Sequence, residues 1–128
     1  MVVLGSSRVV VVVEDDASLR EALKALLRSA GFRVDVFGSA EEYLGPRQAA
    51  DPACLLLDIR MPGMTGLELQ RAIEGTPMDL PIVFITGHAD EELMQTLSRR
   101  AVNVLYKPLD DVALLAAIDQ ALAQSVLR

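Results

Sequence analysis

Blocks of apolar residues alternate with stretches in which apolar residues recur at helical spacing. Val9 to Val13 is an unbroken β-branched block, too short for a helix and suited to a strand buried on both faces. Leu19, Ala22, Leu23, Leu26 and Leu27 then recur at three- and four-residue intervals, and Gly31 stops that helix. The same alternation continues along the chain. Arg33 to Phe37 reads as a strand and Ala40 to Leu44 as a short helix closed by Gly45-Pro46. Ala53 to Leu57 is a third strand, and Leu67, Leu69, Ala72 and Ile73 mark a helix ended by Gly75-Thr76-Pro77. Pro81 to Ile85 is a fourth strand, Glu91 to Arg99 a helix, Val102 to Tyr106 a fifth strand and Val112 to Leu122 a closing helix.

Five strand-then-helix units without a sequence repeat or long linker predict an α/β fold. The expected architecture is one domain: a doubly wound, five-stranded parallel sheet joined by right-handed crossovers, with helices on both faces. In such sheets ligands bind beyond the carboxyl ends of the strands. Those ends carry Glu14-Asp15-Asp16, Asp58, Thr86-Gly87-His88 and Lys107-Pro108.

Composition narrows the picture. With 128 residues, 52% of them hydrophobic, the chain can bury one core. No apolar run approaches the ~20 residues of a membrane helix, and Met1 to Ser7 lacks the length and basic flank of a secretory signal. The single cysteine, Cys54, allows no internal disulfide and reads as a small core residue, so a cytoplasmic location is expected. The net charge is −6 and no basic run or aromatic-interleaved basic patch occurs, which argues against direct nucleic-acid binding.

Each strand-end motif has a local explanation. Acids favour helix starts, Asp58 opens a Pro-Gly loop, Thr86-Gly87 is ordinary turn chemistry, and Lys107 precedes a strand-ending proline. His88, the only histidine, reads by default as a solvated loop residue. The motifs gain meaning from falling on one rim. Clustered carboxylates there form a hard-oxygen site suited to Mg²⁺. A strand-end Asp beside such a metal can act as a nucleophile towards phosphorus, with Lys107 and Thr86 stabilising the transferring group.

The order and spacing of Glu14-Asp15, of Asp58 with Met61-Pro62 and Gly66, of Thr86-Gly87 and of Lys107-Pro108 resemble the receiver domains of two-component response regulators. The stretches "DIRMPGMTG" and "FITGHAD" are most similar to the subgroup carrying a helix-turn-helix transcription module. The resemblance places the receiver domain at residues 8–124, with 1–7 and 125–128 as flexible termini. It implies the flavodoxin-like strand order 2-1-3-4-5 and a cis Lys107-Pro108 bond. It implies a phosphoacceptor regulatory domain rather than an enzyme. Asp58 would take a phosphoryl group from a phosphohistidine on a sensor histidine kinase, with Mg²⁺ as cofactor. Asp15 would bind the metal directly, Glu14 through water, and Arg60 through its backbone carbonyl, while Asp16 caps the helix. Lys107 and Thr86 would contact the phosphoryl group, and Arg60 and His88 would tune its lifetime. The implied partner surface spans the Glu91–Arg99 helix, the fifth strand and the closing helix, where two phosphorylated copies would pair weakly. The chain is expected to be a fragment of a longer transcription regulator.

Two positions depart from the family pattern. The switch position three places before Lys107 usually holds an aromatic residue and here holds Val104. The turn before the fifth strand often carries glycine, where this chain has Arg99-Arg100-Ala101. A phosphatase with a strand-end nucleophile requires a second Asp two residues on, where Arg60 stands; a topoisomerase-primase type of metal site fails for the same reason. A flavodoxin-like cofactor module is disfavoured by a first turn with three acids and no glycine. The remaining alternative is a non-phosphorylated pseudo-receiver acting as an interaction module.

Overall fold

The computed structural model describes residues 8–87 and 103–127, with side chains through residue 124. The described elements are β1 (Val9–Val13), α1 (Ala17–Ser29), β2 (Arg33–Phe37), α2 (Ala40–Leu44), β3 (Pro52–Asp58), α3 (Gly66–Ile73), β4 (Ile82–Thr86), β5 (Asn103–Tyr106) and α4 (Asp111–Leu127). The strands form one parallel sheet in the order β2-β1-β3-β4-β5, as expected.

Alternation along the strands feeds two cores. On one face Val9, Val11, Val13, Leu55, Leu57, Ile82 and Phe84 pack with Ala40 and Tyr43 of α2 and Leu69 and Ile73 of α3. On the other, Val10, Val12, Cys54, Leu56, Val83 and Ile85 pack with Leu23 and Leu27 of α1 and Leu114 and Ile118 of α4. All five residues of β1 are buried, which accounts for its unbroken valine block: a strand covered on both faces has no side to leave polar.

Three elements have bounds that differ from the sequence pattern. β3 takes in Pro52 and Asp58 rather than ending at Leu57, so the carboxylate is the last residue of the strand itself. β4 is shifted one residue, to Ile82–Thr86, because Pro81 has no N–H to give and Thr86 pairs with Tyr106. The closing helix runs to Leu127, past both Leu122 and residue 124. The helix read at Glu91–Arg99, with Arg99-Arg100-Ala101, lies outside the described residues, as do residues 1–7 and His88. Among the described residues no helix is long and apolar enough to cross a membrane.

Local chemistry fixes the turns that carry the site. Asp16 caps α1 by accepting hydrogen bonds from the Ser18 and Leu19 N–H groups at 2.9 and 3.2 Å. Thr65 and Glu68 form a reciprocal capping box that starts α3 immediately after the β3 loop. The Lys107–Pro108 peptide is cis.

Candidate functional site

Glu14 and Asp58 meet because β1 and β3 are parallel neighbours in register, Val13 lying opposite Leu57. One carboxylate oxygen from each of Glu14, Asp15 and Asp58 lies within 4.8 Å of the others. Glu14 and Asp58 are buried, 0% and 3% exposed, while Asp15 stands exposed at the mouth. The backbone holds these acids in place. The Glu14 N–H donates to the Phe37 carbonyl at 3.1 Å, and the Asp16 N–H donates to Glu14 Oε2 at 3.0 Å. Arg60 N–H donates to Asp58 Oδ1 at 3.1 Å, and Ile59 N–H to the Ile85 carbonyl at 3.0 Å.

Lys107 supplies the cation. Its Nζ donates a hydrogen bond to Asp58 Oδ2 at 3.2 Å and stands 3.2 Å from Glu14 Oε1. The backbone steers it there: Lys107 N–H donates to the Thr86 carbonyl at 2.8 Å, continuing the β4–β5 ladder to the rim. Burial opposes the ammonium charge, but Asp58 and Glu14 outweigh it and hold Lys107 above its ordinary pKa. Burial pushes the Glu14 carboxyl up to about 7, reinforced by the neighbouring Asp58 and opposed by the Asp16 N–H and Lys107.

The donor set fits a hard divalent cation. Three carboxylates against one lysine leave an excess of negative charge. Glu14 Oε1 is buried with no aligned hydrogen-bond donor among the described residues, the ion pair with Lys107 being off the alignment a hydrogen bond requires. This acidic cluster can therefore bind a metal, with oxygen ligands from Glu14, Asp15 and Asp58.

The loop after Asp58 folds back on the strand. Gly66 N–H donates to the Ile59 carbonyl at 2.9 Å, and a Cβ at Gly66 would lie 2.4 Å from the Asp58 carbonyl oxygen. Only glycine allows that approach. Thr86 is the buried last residue of β4, one place beyond Ile85, which pairs with Asp58. Val104 is partly buried against the Phe84 core, and Tyr106, opposite Thr86 in register, is 45% exposed.

The structure thus brings Glu14, Asp15, Asp58 and Lys107 together, puts Thr86 at the end of β4 and Arg60 in the loop after β3, and leaves His88 outside the described residues. Two residues escaped the sequence reading. Arg20 Nη1 donates to the Glu14 carbonyl at 2.9 Å, and Glu41 Oε2 accepts from the Met64 N–H at 2.9 Å. Both are polar residues on helices, which sequence reads as solvated surface; only the glycines opposite them, Gly38 and Gly63, hint at a close neighbour.

The family model for the response regulator receiver domain matches residues 10–119. Nodulation protein W of Bradyrhizobium diazoefficiens is 42% identical over 111 residues, covering 86% of this chain and 49% of that protein. Transcriptional regulatory protein FixJ of the same organism is 37% identical over 115 residues, covering 89% and 56%. The chain spans about half the length of these curated relatives. The solved structure of the response regulator StyR superposes with a TM-score of 0.84 at 44% identity, covering 94% of this chain and 62% of that one. A matching family model, similarity to transcriptional response regulators and an acidic rim on a 2-1-3-4-5 sheet agree: the chain belongs to the response regulator receiver domain family of two-component systems.

Proposed function

We propose that Asp58 accepts a phosphoryl group from a phosphohistidine on a sensor histidine kinase, with Mg²⁺, and that the domain thereby switches a partner-binding surface. The observation carrying this reading is the three-carboxylate cluster paired with Lys107, which lies 3.2 Å from both Glu14 and Asp58. A carboxylate oxygen of Asp58 attacks phosphorus, the P–N bond to the donor imidazole breaks with its electron pair going to nitrogen, and an acyl phosphate forms. Lys107 turns from the Asp58 carboxylate to the added phosphoryl oxygens, and the Thr86 hydroxyl donates to them. Asp15, Asp58 and the Arg60 carbonyl would hold Mg²⁺ directly and Glu14 through water. When bound, the ion neutralises the phosphoryl oxygens during transfer.

Arg60 and His88 would tune the lifetime of the phosphoryl group, as the corresponding positions do in the family the chain resembles. The output is regulation of transcription through a module beyond this chain, the relatives being about twice its length. Phosphorylated copies would pair through β5, α4 and the segment 91–99 read as a helix from the sequence, which lies outside the described residues. Val104 has no ring to turn inward, so the signal would travel through the segment after Thr86 rather than by an aromatic relay.

The test is labelling with acetyl phosphate with and without Mg²⁺. Stoichiometric Mg²⁺-dependent labelling that vanishes in Asp58→Asn supports the reading. No labelling, with Mg²⁺ binding absent as well, would leave a pseudo-receiver.

A further inference from the structure

The loop from Ile59 to Thr65 carries the Arg60 carbonyl and Arg60 N–H, and it is pinned at two points. At its base Gly66 N–H donates to the Ile59 carbonyl. At its tip the Glu41 carboxylate, reaching across from α2, accepts the Met64 N–H at 2.9 Å. A Cβ at Gly63 would lie 2.5 Å from the same Glu41 Oε2, and Gly63 has φ +75°. The backbone conformation favours glycine there, and the carboxylate sits in the room that glycine leaves. The Met64 N–H holds the Glu41 carboxyl below its ordinary pKa, so the acceptor is charged at neutral pH and the bond is charge-assisted.

Helix α2 makes a firm base for this contact. Ser39 Oγ accepts from the Glu42 N–H at 3.0 Å, Glu42 Oε1 accepts from the Gly38 N–H at 2.7 Å, and Tyr43 is buried against Phe37 in an edge-to-face contact at 5.2 Å. Glu41 is exposed, makes no contact with the carboxylate cluster in the hydrogen bonds and ion pairs of the described residues, and is separated from Met64 by 23 positions. Its contact with the site's surroundings is the bond to the loop at Met64.

Resting on the proposed function, we propose that Glu41 is a positioning residue: it latches the Ile59–Thr65 loop so that the Arg60 carbonyl is held ready to join Asp15 and Asp58 around a divalent cation. Without the latch the loop must be ordered when the cation binds, and that ordering subtracts from affinity. With the cation saturating, the loop is ordered either way, so the limiting rate of phosphoryl acceptance is unaffected. The consequence is a separation: cation affinity depends on Glu41 and the limiting rate does not.

The experiment compares the unaltered chain with Glu41→Ala and Glu41→Gln. Amide hydrogen exchange is followed in the metal-free state, Mg²⁺ affinity by calorimetry, and acetyl phosphate labelling across Mg²⁺ concentrations. Glu41→Ala should speed exchange at the Met64 amide about tenfold and weaken Mg²⁺ about fivefold, less than the roughly 10–100-fold lost with a group that holds a metal ligand directly. At saturating Mg²⁺ its labelling rate should lie within about twofold of the unaltered chain. Glu41→Gln retains an acceptor oxygen and should recover most of the lost affinity. Unchanged Mg²⁺ affinity in Glu41→Ala, a limiting rate that falls with the affinity, or Glu41→Gln as impaired as Glu41→Ala would each overturn the latch. If the unaltered chain itself fails to bind Mg²⁺, the proposed function falls and the latch with it. If it binds and Glu41→Ala binds equally well, only the latch falls.

Discussion

Replacing Glu14 by Gln should stabilise the metal-free domain at neutral pH while weakening its hold on Mg²⁺. Glu14 is wholly buried, and its carboxyl is pushed from 4.5 to about 7 by burial, with Asp58 adding to the rise. An acid whose folded pKa lies above its unfolded pKa is stabilised in its neutral form. Its contribution to stability is complete below about pH 4.5, declines as pH rises towards 7, and is lost above that. A rise of this size corresponds to about 3 kcal/mol at the alkaline end. That is an upper bound, because water reaches the cleft mouth where Asp15 is exposed and because Lys107 loses an ionic partner in the variant. We expect Glu14→Gln to gain about 1–2 kcal/mol at pH 8, or roughly 3–8 °C in Tm, and little at pH 4.5. The assay is thermal and urea unfolding of both proteins in a chelator between pH 4.5 and 8.5, followed by circular dichroism. Taking the difference between the two proteins cancels the titrating groups that do not interact with Glu14, leaving Glu14 with its partners Asp58 and Lys107. With Mg²⁺ the order should narrow or reverse, since cation binding stabilises the unaltered chain more. A variant no more stable than the unaltered chain at pH 8 without metal, or a difference independent of pH, would refute the reasoning.

Other expectations follow from the same geometry. Asp58→Asn should abolish acetyl phosphate labelling, read by mass, while leaving the fold intact. Gly66→Ala should destabilise by about 2 kcal/mol or more, measured by urea unfolding, because the added Cβ would lie 2.4 Å from the Asp58 carbonyl oxygen and 2.9 Å from Ile59 Cα, both backbone atoms. Cys54, wholly buried and with its thiol pushed up to about 12 by burial, should resist iodoacetamide at pH 8 until the protein unfolds. A phosphoryl mimic should move amide resonances at Thr86 and Gly87 strongly and those of Val104 weakly; a large rearrangement of Tyr106 would restore an aromatic relay.

The sheet was legible because its centre is written in a single physical idiom. Val9 to Val13 and Cys54 to Leu57 have no polar residue to place on either face, so they can only be strands covered on both sides. The rim residues were legible as types at strand ends, and the topology then brings Glu14, Asp58 and Lys107 together. Element ends were less so. Thr86 joins β4 through its pairing with Tyr106, a partner distant in sequence that no local pattern announces. Arg20 and Glu41 were illegible for a related reason. Each acts by donating to or accepting from a backbone group on another element, and backbone partners leave no mark in the amino-acid alphabet. Gly63, favoured by φ +75° and leaving room for the Glu41 oxygen beside it, was the nearest thing to a signal.

The electrostatics of the cleft also bear on why the acids sit on buried strand ends rather than on an exposed loop. A carboxylate pair in water would be fully hydrated and would gain little from meeting a cation. Here Glu14 and Asp58 are almost completely buried, and one lysine is shared between them. The metal-free cleft is therefore short of positive charge, and the rise of the Glu14 carboxyl, caused first by burial and further by Asp58, is only partly offset by Lys107 and the Asp16 N–H. Two independent devices keep the acids from relaxing away from one another. The parallel register fixes their backbones, and the Arg20, Arg60, Asp16 and Gly66 contacts fix the turns that follow. A rim held in this way is preorganised: a cation or phosphoryl group entering it would meet groups already in place. Loosening the Arg20, Arg60 or Asp16 tie should therefore weaken cation binding more than it weakens the fold, because the cores on the two faces of the sheet do not include these residues.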